Sequence, residues 1–198
     1  MQEKGYVKFD CQWLQKAPFE DKNLHKLIEW RNKLYNLGLI GCYDNGIGYG
    51  NISIRKEKNS FFITGSATGD IKELSYEHIS LVTSYNIDNN HLECSGPIKA
   101  SSESLTHATV YETIPEIQAV IHIHNLDMWK KYLNNLPTTH PDIEYGTPEM
   151  AKEVSRLLQK EQNKQKKIFV MGGHREGIIS FGKTMDEAGN IMFRHFAH

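Results

Sequence analysis

Residues 119–125, Ala-Val-Ile-His-Ile-His-Asn, decide how the fold of this chain is interpreted. Apart from two histidines the stretch is apolar and largely β-branched, a composition typical of a buried strand. Because successive side chains of a strand point to opposite faces, His122 and His124 project together, while Ile121 and Ile123 point the other way into a core. The pattern therefore predicts a central strand that carries two neighbouring imidazoles on one face.

Helical and strand patterns alternate around this segment. Helices are expected at residues 22–37, 102–111 and 147–158 and from Thr184 onward, and strands at residues 51–55, 61–64, 79–87, 168–171 and 177–181. Thr147, followed by Pro148 and Glu149, is a well-formed helix start. Because the elements follow no strict βαβ rhythm, they predict an α/β or α+β sandwich in which helices cover a mixed sheet.

Composition limits the classes of partner. The chain has 198 residues, of which 39% are hydrophobic and 24% are charged, and this suits one compact domain over residues 1–198. A formal net charge of -1 lacks the cationic excess that nucleic-acid and membrane-surface partners require. The three cysteines form no CxxC pair, residues 1–10 lack an apolar leader, and nowhere do eighteen apolar residues run together. We therefore expect a cytoplasmic protein without nucleic-acid or membrane partners.

The paired histidines of the central strand indicate a metal site. Two imidazoles at this spacing can bind one cation at about 2.0–2.1 Å from each nitrogen. The alternative is a pair of surface histidines, which a wholly apolar strand disfavours because unliganded polar rings lose hydration there. His174 follows an apolar strand and the pair Gly172 and Gly173, where the backbone can turn sharply, although a solvent-exposed turn histidine is its alternative. Three nitrogen ligands with an open fourth position would be a catalytic arrangement.

An acid precedes the histidine strand in the sequence. Glu103 follows Ser101 and Ser102 at the start of the predicted helix. One interpretation is an acid favoured by the helix macrodipole, with a serine as N-cap. The other is an anion site built from two hydroxyls and free N–H groups, which would suit a phosphate. The sequence leaves both interpretations open.

Together these segments resemble the class II aldolase/adducin family. The resemblance extends over residues 22–193. Its motifs are residues 50–53 (GNIS), 63–69 (ITGSATG), 101–103 (SSE) and 122–124 (HIH), and the pair Gly173 and His174 followed by Gly177. It implies a single-domain α/β sandwich in which helices cover a central, mostly antiparallel sheet, and it implies a homotetramer.

The resemblance also implies roles for individual residues. His122, His124 and His174 correspond to metal ligands, the metal being zinc in the sugar-phosphate aldolases, although imidazoles also suit iron, manganese or cobalt. Glu103 matches an acid that ligates the free metal or acts as catalytic acid/base. The residues that match phosphate-binding groups are Asn51, Thr68, Gly69, Ser101 and Ser102. The loop here is longer than the common form, so Thr64 and Gly65 are rivals to Thr68 and Gly69.

The expected reaction follows from this ligand set. A metal held by three imidazoles can polarise a hydroxy-ketone carbonyl and stabilise an enediolate, while a nearby carboxylate moves the proton. This predicts a lyase that cleaves or forms a C–C bond of a small, phosphorylated sugar. The alternatives are a sugar-phosphate 4-epimerase, or a dehydratase or decarboxylase on the same metal site. A non-catalytic adducin-like interaction domain is disfavoured because all the expected ligands are present.

Two further features bear on the choice between these reactions. Residues 138–146 resemble the epimerase stretch that supplies a second acid/base, which makes Asp142 a candidate, although a loop aspartate is more often a turn-former. Glu103 stands where the epimerases have Asp, which favours an aldolase. The C-terminal segment that carries a catalytic tyrosine in characterised members is expected to be short or absent after the final helix.

Overall fold

The structure is a computed structural model that describes residues 9–197, and these residues form an eight-stranded sheet with helices on both faces. The strands are β1 (Asp10–Gln15), β2 (Gly41–Cys42), β3 (Gly48–Tyr49), β4 (Asn51–Glu57), β5 (Ser60–Thr64), β6 (Ile79–Asn86), β7 (His91–Gly96), β8 (Ala119–His124), β9 (Ile168–Val170) and β10 (Gly177–Gly182). The helices are α1 (Asn23–Asn36), α2 (Ser104–Thr113), α3 (Leu126–Tyr132), α4 (Pro148–Leu158), α5 (Glu161–Lys166) and α6 (Met185–Phe196).

Strand pairing confirms the expected sheet. The order across the large sheet is β1-β7-β6-β5-β4-β8-β10-β9, and β2 and β3 form a separate hairpin. Strands β1 and β7 are parallel, whereas every other neighbouring pair in this order is antiparallel. The α/β fold with a mostly antiparallel sheet covered by helices is therefore confirmed. The two ends of the predicted domain, residues 1–8 and residue 198, lie outside the described residues, and the single-domain prediction stays a prediction.

Strand β8 lies near the middle of the sheet, as its composition predicts. It pairs with β4 on one side and β10 on the other, and all six of its residues are buried. Val120 packs into the core shared with α2 and α4, whereas Ile121 and Ile123 pack into the core shared with α1 and α6. Burying each of these side chains contributes about 1.5–3 kcal/mol. His122 and His124, which alternate with the isoleucines, therefore face the layer of α2 and α4.

Local signals set the ends of the helices. The Thr147 hydroxyl accepts a hydrogen bond from the backbone N–H of Met150, with Pro148 in the first turn, which confirms the predicted start of α4. Helix α1 ends at Asn36, and Gly38 follows with a φ of 69°, the left-handed conformation typical of a glycine that ends a helix. Gly41 lies beyond the helix, in β2.

Several elements are absent from the sequence prediction, among them β1, β7, α3 and α5. Strand β1 is an edge strand with mostly exposed side chains, so it lacks the apolar alternation that marks a half-buried strand. Helix α3 follows β8 after a single residue, Asn125, whose side chain caps it by accepting from the N–H of Met128. Within residues 9–197 no helix combines the length and the apolar character needed to cross a membrane.

Candidate metal centre

Three histidines meet at one end of the central strands. His122 and His124 come from β8, and His174 comes from the turn between β9 and β10. Their ring centroids lie 4.9 Å (122 to 124), 5.1 Å (122 to 174) and 4.6 Å (124 to 174) apart. One ring nitrogen from each lies within 4.8 Å of the other two. The structure therefore brings together the three residues that the sequence predicts as metal ligands.

The turn that carries His174 depends on glycine. Its backbone closes on itself, because the N–H of His174 donates to the carbonyl of Met171 and the N–H of Gly177 donates to the carbonyl of His174. A Cβ atom on Gly173 would lie 1.9 Å from the carbonyl oxygen of Ile143, a distance that no side chain tolerates. Glycine at this position thus allows the turn to pack against the loop before α4 and to direct His174 toward β8.

Burial sets the protonation of the two strand histidines. The exposed fraction is 1% for His122 and 8% for His124. Burial, followed by the neighbouring imidazoles, holds the pKa of His122 well below its usual value, and burial lowers the pKa of His124 to about 4. Both rings are therefore neutral near pH 7, the form in which an imidazole nitrogen binds a metal.

Buried ring nitrogens give a direct test of whether these residues fit a cation. The Nε2 atoms of His122 and His124 are buried and have no hydrogen-bond partner within residues 9–197. A buried polar atom without a partner costs about 1–3 kcal/mol, so two such atoms on converging rings call for a ligand. The geometry and the donor set fit a divalent transition metal, and they do not identify which one.

Asn51 contacts His122, one of the three clustered histidines. Its Nδ2 atom lies 3.4 Å from Nδ1 of His122, and its Oδ1 atom is buried without a hydrogen-bond partner in the described part of the chain. A 180° rotation of the amide would place Oδ1 to accept from a protonated Nδ1 of His122. That arrangement would satisfy the Nδ1 proton of His122 and leave its Nε2 lone pair for a metal.

Glu103 lies beside the histidines at the N-terminal end of α2. Its side chain is 3% exposed, and Oε1 lies 3.9 Å from Nδ1 of His174. Its Oε2 atom accepts a hydrogen bond of 2.9 Å from the hydroxyl of Thr106. Glu103 is itself the N-cap residue of α2, and its carboxylate makes no capping hydrogen bond to the helix backbone. It points to the cluster of histidines instead of serving the helix start alone.

A cavity of about 450 Å³ opens onto the histidine cluster. The residues matched to phosphate-binding groups all line it: Asn51, Thr68, Gly69, Ser101 and Ser102. Gly65 lines the cavity too, whereas the hydroxyl of Thr64 accepts a hydrogen bond from the backbone N–H of Ile52. The loop of residues 65–69 thus brings Thr68 rather than Thr64 to the cavity, and the phosphate-binding roles themselves stay predictions.

Asp142 lies apart from this cluster. Its side chain is 88% exposed, its carboxylate lies 3.8 Å from Nδ1 of His140, and it is not among the residues that line the cavity. The neighbouring loop residue Tyr145 does reach the site, because its ring stacks on His174 with centroids 3.9 Å apart. The catalytic role of Asp142 stays a prediction.

Several residues of the site are not among the candidates that the sequence predicts. Besides Tyr145 they are Tyr43, Tyr49 and Arg175, which line the cavity, and Glu176, which contacts Tyr43. Tyr49 stacks on His124 with centroids 5.5 Å apart, so aromatic rings cover two of the three imidazoles. A tyrosine in a hairpin and a charged pair beside His174 are ordinary surface features in a sequence, and only the folded chain brings them together.

Comparison with known proteins identifies the family. Residues 26–194 match the family model described as "Class II Aldolase and Adducin N-terminal domain". The Mycoplasma pneumoniae protein named "Probable L-ribulose-5-phosphate 4-epimerase UlaF" is 29% identical over 103 residues. That match covers 50% of this chain and 41% of the Mycoplasma protein, so it spans less than half of that relative.

Solved structures share the fold at low sequence identity. The L-fuculose-1-phosphate aldolase of Thermus thermophilus superposes with a TM-score of 0.61 at 21% identity, covering 86% of this chain and 87% of that one. A sugar-phosphate aldolase of Thermotoga maritima gives a TM-score of 0.64 at 19% identity, covering 89% and 91%. At these identities the superpositions establish a common fold.

Proposed function

The chain belongs to the class II aldolase and adducin family, and from that premise we propose that it is a metal-dependent lyase acting on a small phosphorylated sugar. The proposed reaction cleaves or forms a C–C bond next to a carbonyl. The observation that carries the proposal is the cluster of His122, His124 and His174, whose ring nitrogens lie within 4.8 Å of one another at the base of a cavity.

The three histidines would hold the metal, and we propose zinc. When bound there, a divalent cation would polarise a substrate carbonyl and stabilise the negative charge that develops on its oxygen. The chain prepares this site by keeping His122 and His124 neutral through burial. Three imidazoles also leave a coordination position open, as catalytic sites require.

Glu103 is the proposed acid/base. Its carboxylate lies 3.9 Å from His174 and is almost completely buried, so it is held next to the position of the metal and away from bulk water. From there it can move a proton to or from the carbon adjacent to the substrate carbonyl. Asp142 remains the candidate for the aldehyde end, although it is 88% exposed in the single chain.

The substrate's phosphate would bind in the same cavity, in a neutral cradle of hydroxyls, an amide and backbone N–H groups. The cradle is formed by Asn51, Thr68, Gly69, Ser101 and Ser102. Two segments hold it together, since Gly65 bridges to Ala100 and the N–H of Ser66 donates to the carbonyl of Lys99. Such groups bind an anion by direct hydrogen bonds, which fix the reacting end of the sugar relative to the histidines.

A sugar-phosphate 4-epimerase is the second candidate. The relative from Mycoplasma pneumoniae carries that name and is 29% identical over the matched residues. Epimerisation breaks and reforms the same C–C bond, so the same residues would serve it. A dehydratase or decarboxylase would also use this site. Assays that separate free aldehyde from an epimerised ketose phosphate distinguish the lyase from the epimerase.

The proposal extends to the setting of the enzyme. Cys11, Cys42 and Cys94 are free thiols, which supports a reducing cytoplasmic compartment. The resemblance supports a homotetramer, and light scattering of the purified protein would measure a mass four times that of the 22.8 kDa chain.

The decisive experiment combines metal content with activity. We expect purified protein to contain about one zinc per chain by mass spectrometry and to release an aldehyde from one member of a panel of ketose phosphates. His122→Ala should lose both metal and activity, because it removes a ligand from the buried centre of the cluster.

The matched control is His25→Ala. His25 is exposed on α1 and bonds to the hydroxyl of Tyr76, outside the cavity, so this variant should retain the metal and the activity. Circular dichroism of all proteins separates loss of metal from loss of fold. A wild-type protein that is fully folded, binds no divalent metal and cleaves no ketose phosphate contradicts the proposal.

A further inference from the structure

Tyr43 and Glu176 form a hydrogen-bonded chain that ends on a metal-site histidine. The Tyr43 hydroxyl lies 2.8 Å from Nδ1 of His124 and donates to Oε2 of Glu176 at 2.7 Å. We propose that this chain fixes His124 in the tautomer with its proton on Nδ1, and thereby raises the affinity of the site for its cation. The inference rests on the proposed metal site and assigns Tyr43 and Glu176 as positioning residues within it.

The direction of each hydrogen bond follows from which groups can donate. The Tyr43 hydroxyl has a single proton, which it donates to Oε2 of Glu176. The oxygen of Tyr43 then offers a lone pair toward His124, and only a protonated Nδ1 can fill it. The Nε2 atom of His124, which is buried and has no hydrogen-bond partner in the described residues, is left with its lone pair free.

Backbone hydrogen bonds fix the position of Tyr43, so that its hydroxyl can orient the ring of His124. Tyr43 begins the turn of the β2–β3 hairpin, where its N–H donates to the carbonyl of Ile47 and its carbonyl accepts from the N–H of Gly46. The side chain of Asn45 accepts a further bond from the N–H of Ile47. The Tyr43 ring also packs on Tyr49 with centroids 4.5 Å apart. These contacts fix the hydroxyl relative to β8.

Glu176 has an independent mark of a constrained role. Its φ is 74°, a left-handed conformation that is unfavourable for a residue with a Cβ atom and costs about 1 kcal/mol or more. Its carbonyl accepts a hydrogen bond of 3.0 Å from the N–H of Asn125, the residue that follows His124. Glu176 is thus tied to the end of β8 by its backbone while its carboxylate binds Tyr43. Glycine would adopt this conformation more easily, so a glutamate at this position indicates that its side chain has a role there.

Solvent sets the expected size of the effect. Tyr43 is 38% exposed and lies at the mouth of the cavity, where water competes for its hydroxyl. Partners of a metal-bound histidine change metal affinity by roughly 10–100-fold in other proteins, and we expect about tenfold here because of this exposure.

The test is a double-mutant cycle on metal affinity. The proteins are the full chain, Tyr43→Phe, Glu176→Gln and the double variant, each titrated with Zn²⁺ in competition with a chromogenic chelator. Tyr43→Phe removes the bond to His124, and Glu176→Gln supplies an amide that can donate to Tyr43 and reverse the direction of the chain. Each single variant should bind Zn²⁺ about tenfold more weakly. The double variant should bind no more weakly than Tyr43→Phe, because Glu176 acts only through Tyr43.

A matched control removes a similar bond elsewhere. The hydroxyl of Tyr76 lies 2.9 Å from Nε2 of His25, outside the cavity, so Tyr76→Phe deletes a tyrosine–histidine hydrogen bond without touching the site. Its Zn²⁺ affinity should equal that of the wild type. Thermal unfolding of the metal-free proteins checks that the four members of the cycle keep the same fold.

A second readout needs no metal. Long-range ¹H–¹⁵N spectra of the metal-free protein at pH 7 should show the proton of His124 on Nδ1, and Tyr43→Phe should shift it toward Nε2. Wild-type affinity in Tyr43→Phe, or additive losses in the double variant, overturns the inference. If the wild type binds no Zn²⁺ the proposed zinc site fails, and the spectra then decide by themselves whether Tyr43 sets the tautomer of His124.

Discussion

At the scale of single residues, three buried polar side chains form a hydrogen-bonded cluster, one member of which interacts electrostatically with His122. The Ser53 hydroxyl is 2.7 Å from Nδ1 of His107 and 2.8 Å from the hydroxyl of Tyr111, and all three side chains are buried. Burial lowers the pKa of His107 to about 3. A neutral His107 adds no positive charge close to His122, so the neighbourhood stays suited to a cation.

The pKa of His107 predicts how stability depends on pH. In the unfolded chain a histidine titrates near pH 6.5, whereas the folded protein protonates His107 only near pH 3. Between these values the unfolded state binds a proton that the folded state does not, so the free energy of unfolding falls as the pH falls, by about 1.4 kcal/mol per pH unit. As the pH falls from 6 to 4, the free energy of unfolding of metal-free His107→Gln should therefore decrease less steeply than that of the wild type, by about 1.4 kcal/mol per pH unit.

Urea unfolding of the metal-free proteins at pH 4, 5 and 6 measures this difference in slope. The exposed His25→Gln variant controls for the loss of an imidazole elsewhere in the chain. Equal slopes for His107→Gln and the wild type would show that His107 takes up its proton in the folded state, contrary to its complete burial.

The residues of the site differ in how far sequence predicts them. The two strand histidines follow from the alternation of a single strand, because Ile121 and Ile123 require the opposite face. Tyr43 is different, since it lies 81 positions from His124 and 133 from Glu176. No local period connects such positions, and their contact exists only because the β2–β3 hairpin folds over the end of β8.

At the scale of secondary structure elements, β10 shapes the metal centre through a residue without a side chain. A Cβ atom on Gly177 would lie 3.2 Å from Nε2 of His122 and 3.0 Å from the carbonyl oxygen of His174. Gly177→Ala should therefore displace both histidines by a few tenths of an ångström and lower Zn²⁺ affinity by about tenfold, or about 1.4 kcal/mol. The measurement is the chelator competition described above.

A neighbouring position on the same strand supplies the control. Ile178 is fully buried in the core shared with α1 and α6, on the face away from the histidines. Ile178→Val should cost about 1 kcal/mol of unfolding free energy and leave the affinity for Zn²⁺ unchanged. An unchanged affinity in Gly177→Ala would mean that the strand end gives way without moving the ligands.

Elements with strong local signals were predictable and the others were not. Helix α4 combines a threonine cap, a proline in its first turn and a buried apolar face, and all of these can be seen in the sequence. Strand β1 has five exposed residues out of six, and its apolar Trp13 and Leu14 are 41% and 59% exposed. It forms through backbone pairing with β7, a long-range contact that a sequence pattern does not encode.

At the scale of the whole molecule, the sheet brings together segments that are distant in the chain. His122 and His124 at the end of β8 meet His174 before β10 because β8 and β10 are antiparallel neighbours, and Glu103 at the start of α2 lies beside His174. In the register of that pair, His124 lies opposite Gly177 and His122 opposite Ile179. The resemblance to a known family supplied this antiparallel arrangement, since composition and periodicity indicated only a mixed sheet.

A cation at this convergence would connect β8 to the turn between β9 and β10 and so stabilise the folded chain. With free Zn²⁺ at 100 times its dissociation constant, the stabilisation is about 2.7 kcal/mol, which for a chain of this size raises the melting temperature by about 5–10 °C. His174→Ala should abolish this metal-dependent rise, because the two remaining histidines both belong to β8 and no longer connect it to the turn before β10. Asp142→Asn should keep it, because Asp142 is 88% exposed and outside the cavity. Differential scanning calorimetry with Zn²⁺ and with a chelator measures both, and a metal-dependent rise that survives in His174→Ala would remove His174 from the ligand set.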